Sequence, residues 1–244
     1  MVTTVKPDPN AAEKAPVLSG CKAILFDFGG TLDSDGEHWL DRFYELYESA
    51  GLDLPRDEIK RVFYMADEEC CKDPGVNELG LRPLMVHHVR LQFSGLNLVN
   101  PGKERELSDR FCARTEGYLQ RNLQLLRRLN GTYRLAVVSN FYGNVEVLCR
   151  EAGLAEFFDA ILDSTRLGIG KPNPEIFRIA MGRLGVSPWE SVFIGDSYER
   201  DMMPSMKLGM KTVWMKGPNP RLPENPEPVD CIISSLTELE RVLL

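Results

Sequence analysis

Three short segments of the chain are apolar residue after residue rather than alternately: Cys21–Phe28 (CKAILFDF), Tyr133–Ser139 (YRLAVVS) and Ser191–Gly195 (SVFIG). A strand with one face in water alternates apolar and polar residues, so continuous runs of this length require burial on both faces. Three further β-branched runs follow the same bias: Asp159–Leu162, Lys211–Met215 and Asp230–Ile233. Between the later runs stand segments of helical pattern, Gly143–Ala152, Pro174–Leu184, Asp201–Leu208 and Leu236–Leu244. Strand alternating with helix implies right-handed crossovers and a mainly parallel sheet covered on both sides. The expected fold class is therefore α/β, a doubly wound, Rossmann-like parallel sheet.

The gap between the first two strands is too long for one crossover helix. It covers about a hundred residues, where a dozen or more would suffice. Leu40, Phe43, Leu46 and Tyr47 recur at helical spacing within Trp39–Ala50, and Asp57–Glu69, Arg82–Phe93 and Glu104–Leu129 continue in the same manner. Asp73-Pro74-Gly75 and Asn100-Pro101-Gly102 interrupt the pattern as turns. The expected organisation is a flexible leader at 1–20, an α/β core formed by 21–35 and 118–244, and a helical insertion at 36–117 over the carboxyl edge of the sheet. Gly217–Val229 holds five prolines and reads as a loop before the last strand.

Composition removes several classes of function. A formal charge of −7 gives nothing to neutralise phosphates along a duplex, which excludes nucleic acid as a partner. No apolar run approaches the ~18 residues of a membrane-spanning helix, and the first twenty residues lack the apolar centre of a secretory signal. The six cysteines include no C-x-x-C pair, so neither a zinc site nor a redox pair is indicated and a reducing cytoplasm fits best. Nothing in the sequence speaks to oligomeric state.

Ligands of open α/β sheets bind beyond the carboxyl ends of the strands. Strand one ends at Asp27 and enters a Gly29-Gly30 turn with Thr31 beyond; strand two ends at Ser139-Asn140; strand four ends at Asp196, with Asp201 five residues on. Lys171 precedes the helix after strand three. A carboxylate nucleophile, a divalent cation and an ammonium together describe phosphoryl transfer through an aspartyl-phosphate. Mg²⁺ wants an octahedron of oxygens with only one or two carboxylates. Asp27, Asp196 and the Gly29 carbonyl could supply them, with Asp201 holding the metal's waters. Ser139, Lys171 and the backbone N–H groups that follow Asp27, at Phe28, Gly29, Gly30 and Thr31, would stabilise the phosphoryl oxygens, with Asn140 beside them.

These segments, ILFDFGGTLD (24–33), AVVSN (136–140), GKPNPEIF (170–177) and VFIGDSYERD (192–201), resemble the four ordered motifs of the haloacid dehalogenase-like (HAD) hydrolases. The resemblance covers about Lys22 to Leu244, and the long insertion is similar to the family's helical cap between motifs one and two. It implies that Asp27 is the nucleophile, that Ser139 and Lys171 bind phosphate, and that Asp196 with Asp201 hold Mg²⁺.

One position departs from the pattern. Family phosphatases carry a second aspartate two residues after the nucleophile, as general acid and then base, and this chain has Gly29 there. General acid–base catalysis contributes about 10²–10⁴-fold. The dehalogenase branch also lacks that aspartate but lacks the metal pair as well, so Asp196 and Asp201 argue against haloacid substrates. Asp33 could replace the acid or simply bond the turn. His38, His87 or His88, all in the insertion, could supply the proton if one faced the cleft. The expected function is Mg²⁺-dependent hydrolysis of a small phosphorylated metabolite, slow for want of the second aspartate. The alternatives are an impaired protein that binds a phosphorylated ligand or a protein partner, and a phosphotransferase.

Overall fold

The computed structural model describes residues 18–243. Most of the expected leader, residues 1–17, lies outside them; of its remainder, Leu18 is buried in the core. The three continuous apolar runs and the three further β-branched runs form six parallel strands: β1 (Ala23–Phe26), β2 (Arg134–Ser139), β3 (Ala160–Asp163), β4 (Ser191–Gly195), β5 (Lys211–Met215) and β6 (Cys231–Ile233). They lie in the order β3-β2-β1-β4-β5-β6. Every residue of β1 and β4 is buried, as their unalternating sequence requires. The chain steps from β1 to one side of the sheet and later returns to the other, so β2 and β4 flank β1. That reversal opens a crevice at their carboxyl ends.

Four helices stand between β1 and β2: α1 (Trp39–Ser49), α2 (Arg56–Lys72), α3 (Leu81–Gly95) and α4 (Pro101–Leu129). The face expected for α1 is buried at Leu40, Phe43, Leu46 and Tyr47. On α2 the buried set Ile59, Val62, Phe63, Ala66 and Cys70 follows the same helical spacing. Asn100 caps α4 by accepting from Lys103 N–H, with Pro101 where a donor is not needed. The helix then runs through residue 117 without a break, so the backbone has no joint at the expected end of the insertion.

After β2 come α5 (Val145–Glu151), α6 (Ser164–Leu167), α7 (Pro174–Leu184), α8 (Met203–Leu208) and α9 (Leu239–Leu243). The segment expected as one helix from Asp201 begins instead as a wide turn, Tyr198–Met202, in which Ser197 caps Arg200 N–H. Met202 and Met210 pack in the core beneath it. The six cysteines are free, and Cys70, Cys112 and Cys149 are buried. Among the described residues no helix is long and apolar enough to cross a membrane.

A buried ion pair joins the first turn to the insertion. Arg42 on α1 donates to Asp33 Oδ1 at 2.9 Å and to Thr115 Oγ1 on α4 at 3.0 Å, and its side chain is 1% exposed. Asp33 is fully buried and also accepts from Gly30 N–H at 2.7 Å and Trp39 Nε1–H at 2.5 Å. Removing one partner of such a pair strands the other's charge in the interior. Arg42→Leu should therefore lower stability by about 3–5 kcal/mol, read from the urea unfolding midpoint; a loss below ~1 kcal/mol would show the pair to be solvated.

Candidate active site

The crevice holds a cavity of about 540 Å³ lined by Asp27, Gly29, Ser139, Asn140, Lys171, Asp196 and Asp201 from the sheet side. Asp27 follows β1 directly, and its N–H is tied to Ile194 O of β4 at 2.9 Å. Ser139 Oγ donates to Asp27 Oδ1 at 2.9 Å. Lys171 Nζ lies 2.8 Å from Asp27 Oδ1 and 2.7 Å from Asp201 Oδ1. Asn140 holds that lysine from its backbone: Oδ1 accepts from Lys171 N–H at 2.7 Å and Nδ2 donates to Lys171 O at 2.8 Å. Both polar atoms of Asn140 are thus engaged in positioning Lys171.

Oxygens of Asp27, Asp196 and Asp201 lie within 4.8 Å of one another. Two glycines make the approach possible. A Cβ on Gly30 would fall 2.4 Å from Asp196 Oδ2, and one on Gly195 2.4 Å from Asp201 Oδ2. Ser197 N–H donates to that same Asp201 oxygen at 3.0 Å. Burial raises the Asp196 carboxyl well above the usual carboxylate range, with the charges of Asp27 and Asp201 adding to the effect. Burial likewise raises Asp201, to about 6, against the Lys171 ammonium, which favours its charge. Burial opposes the charge of Lys171, but Asp201 and Asp27 outweigh it and raise its pKa. Three crowded carboxylates facing one ammonium form an oxygen-donor set suited to a hard divalent cation.

Not every expected residue reaches this cavity. Phe28 is buried against Phe141, with ring centroids 5.4 Å apart. The Gly30 N–H is committed to Asp33, and the Thr31 side chain is fully buried. Among the residues described, none of these three lines the cavity. Asp33 also lies outside the lining, its carboxylate filled by the turn, Trp39 and Arg42, so it is the bond of the turn and not a spare acid.

Of the histidines, His87 stands near Asp73 on the surface and His88 is buried. His38 lines the cavity, but its Nδ1 accepts from Leu40 N–H at 3.1 Å, which leaves the ring proton on Nε2. Burial lowers its pKa from 6.5 to about 4, with Arg221 adding to the effect and Asp67 opposing it. A ring fixed in this way donates a hydrogen bond and is a poor shuttle near neutrality.

Sequence reasoning missed much of the remaining wall. Phe63, Tyr64 and Asp67 come from α2, and Tyr142 from the turn after β2. Arg221 comes from the proline-rich loop, reaching Tyr64 Oη at 3.4 Å. The loop is brought there by a glycine contact: Gly36, at φ +75°, packs on Gly217 so closely that a Cβ would lie 2.3 Å from Gly217 N. Gly36 and Gly217 were the sequence signals for that contact.

Comparison with known proteins agrees with this architecture. The model of the haloacid dehalogenase-like hydrolases matches residues 21–204. The chain is 29% identical over 164 residues to pyrimidine 5′-nucleotidase YjjG of Escherichia coli (strain K12), a match spanning 66% of this chain and 72% of that one. It is 34% identical over 132 residues to phosphoserine phosphatase of Thermus thermophilus, spanning 51% of this chain and 52% of that one. Among solved structures it is similar to a dehalogenase with an intermediate complex, at TM-score 0.61 and 19% identity, covering 91% of this chain and 96% of that one. The fold, the ordered strand-end residues and the extent of the family match define a haloacid dehalogenase-like hydrolase. The chain belongs to that family.

The His38 environment has a pH consequence. Because its folded pKa lies below the ordinary 6.5, the stability it contributes is complete above that value and is lost as pH falls towards about 4. The ring's nitrogen shifts, followed by NMR, should stay those of the Nε2–H form from pH 8 down to about 5; a midpoint near 6.5 would show the ring to be solvated rather than buried.

Proposed function

We propose that this hydrolase cleaves the phosphomonoester of a small metabolite, with Mg²⁺ bound, through an aspartyl-phosphate on Asp27. The observation that carries the reading is the Lys171 ammonium held at 2.8 Å from Asp27 and 2.7 Å from Asp201. Relatives named as phosphatases and as a nucleotidase support phosphoester chemistry. Asp27, Asp196 and the Gly29 carbonyl would hold the cation, with Asp201 acting through its waters. When bound, Mg²⁺ supplies charge neutralisation on the phosphoryl oxygens.

An Asp27 carboxylate oxygen attacks phosphorus, the bond from phosphorus to the alcohol oxygen breaks, and an acyl phosphate forms. Ser139 and Lys171 bind the transferring oxygens, where charge builds in an in-line displacement. Water then attacks phosphorus, which frees inorganic phosphate and restores the carboxylate. Gly29 offers no proton to the departing alcohol and accepts none from the water, so both come from or go to solvent. Turnover is slow for that reason, most of all for basic leaving groups. In this reading residues 36–117 act as the cap that covers the site, and the free cysteines accord with work in a reducing cytoplasm. Gly29 also favours a second reading, a protein that binds phosphorylated ligands without turnover.

Phosphate release from an aryl phosphate separates the two. Release should require Mg²⁺, stop with EDTA, and be lost in Asp27→Asn; tight, Mg²⁺-dependent binding of a phosphate analogue with zero release would favour the binder. The space at position 29 permits a sharper measurement. Gly29 has φ −71°, and a Cβ there would meet nothing closer than 3.9 Å. Gly29→Asp should fold normally and raise steady-state turnover by about tenfold or more, within the range of acid–base catalysis; an unchanged rate would mean that another step limits it.

A further inference from the structure

Asp67 on α2 lines the same cavity as Asp27, and its side chain is 27% exposed. Two donors meet at one of its oxygens. The Tyr142 hydroxyl donates to Oδ1, and His88 Nε2 lies 3.1 Å from the same atom. The chain of bonds behind His88 sets its direction. Tyr47 Oη–H donates to Gln92 Oε1 at 3.2 Å, which leaves the Gln92 amide N–H to donate to His88 Nδ1 at 2.8 Å. The imidazole therefore presents Nε2–H to Asp67. His88 and Gln92 are wholly buried, Tyr47 is buried beside them, and His88 stacks on Phe43 at 5.5 Å.

This is an orienting device. One carboxylate oxygen is fixed by a phenol and an imidazole, and among the described residues no donor reaches the other, Oδ2. Asp67 also differs from the other carboxylates that the insertion brings to the cavity. Glu68 is paired with Lys72 at 2.7 Å, and Asp41, which like Asp67 has no cation within ion-pair distance among the described residues, has no side-chain donor that fixes it as Tyr142 and His88 fix Asp67. Among the described residues, Asp67 has no ammonium or guanidinium within ion-pair distance. Buried polar chains cost stability unless every member is satisfied, and this one spends three buried side chains to present an acceptor-only group at a cavity wall. What such a group lacks is a cationic donor.

We infer that Asp67 determines specificity, by accepting a hydrogen bond from an ammonium on the alcohol portion of the substrate, with Tyr142 as a positioning residue. The substrate class is then a phosphorylated amino alcohol. This rests on the phosphomonoesterase reading above.

The test compares kcat/KM for 2-aminoethyl phosphate and ethyl phosphate, with an aryl phosphate as reference. In Asp67→Asn the preference for the aminoethyl ester should fall by about 10- to 100-fold, chiefly through KM, as expected for a lost charge-assisted bond. Tyr142→Phe removes only the hydroxyl and should lower the same preference by about 3- to 10-fold; it carries the test alone if Asp67→Asn does not fold. An unchanged preference in both variants overturns the proposal, while aryl phosphate release keeps the hydrolase reading intact. A larger loss on ethyl than on aminoethyl phosphate also overturns it, since that pattern marks a proton donor to basic leaving groups. No release from any ester by the parent protein defeats the hydrolase reading, and this inference with it.

Discussion

The Lys171 ammonium lies between two buried carboxylates, within 2.8 Å of Asp27 and 2.7 Å of Asp201. Without it, carboxylates gathered within 4.8 Å would repel one another by about 3–4 kcal/mol per pair at an effective dielectric near 20. Exposed ion pairs contribute about 0–1 kcal/mol each, so the paired charges of this chain's surface do not compare with it. Much of the local structure serves that placement. Asn140 grips the lysine backbone from both sides, Asn173 caps α7 two residues further on, and the Phe193 ring lies 5.3 Å beneath the ammonium. Gly30 and Gly195 are the positions where a side chain would displace the carboxylates. The strand order supplies the rest, because only β1, β2 and β4 meet at the reversal.

A second buried charge, Asp33, governs how the helices attach. It accepts from the turn, from Trp39 and from Arg42, so the geometry that follows β1 and the start of α1 are one unit. The same saturation removes Asp33 as a substitute for the missing acid. His38 is removed by its bond to the backbone and by its burial. The consequence of Gly29 is therefore local and uncompensated by Asp33 or His38.

How much of this was legible in the sequence follows from how each signal arises. Burial of a strand on both faces writes itself into consecutive residues, and so the sheet could be read. Strand-end residues could be read because the topology assigns them to one edge: Asp27, Ser139, Lys171, Asp196 and Asp201 do come together. The engagement of backbone donors could not. Whether Gly30 N–H faces a ligand or Asp33 depends on the turn's dihedral angles, which residue types do not specify. Asp67, Tyr142 and Arg221 were missed for another reason. Each is a single polar residue on a helix, turn or loop, and only the packing of α2 and of the Gly36–Gly217 contact brings them to the cavity. The expected end of the insertion at 117 falls inside α4, one continuous helix, in which a change of neighbours leaves no break in periodicity.

The missing acid and the oriented Asp67 bear on each other. A site that cannot protonate its leaving group works best on alcohols that depart without help. An ammonium two carbons from the ester oxygen withdraws electron density and makes that oxygen a weaker base, so the substrate proposed for Asp67 would also lessen the need for a proton at position 29. Reading the ammonium through a fixed carboxylate also holds the alcohol in one orientation, and the in-line geometry at Asp27 depends on that orientation. Under the proposed function, the sheet edge carries chemistry common to any phosphomonoester, whereas α2, which contributes nothing to that edge, would select the esters for which Gly29 is least costly. In such a division of labour a glycine beside the nucleophile narrows the range of substrates before it abolishes activity.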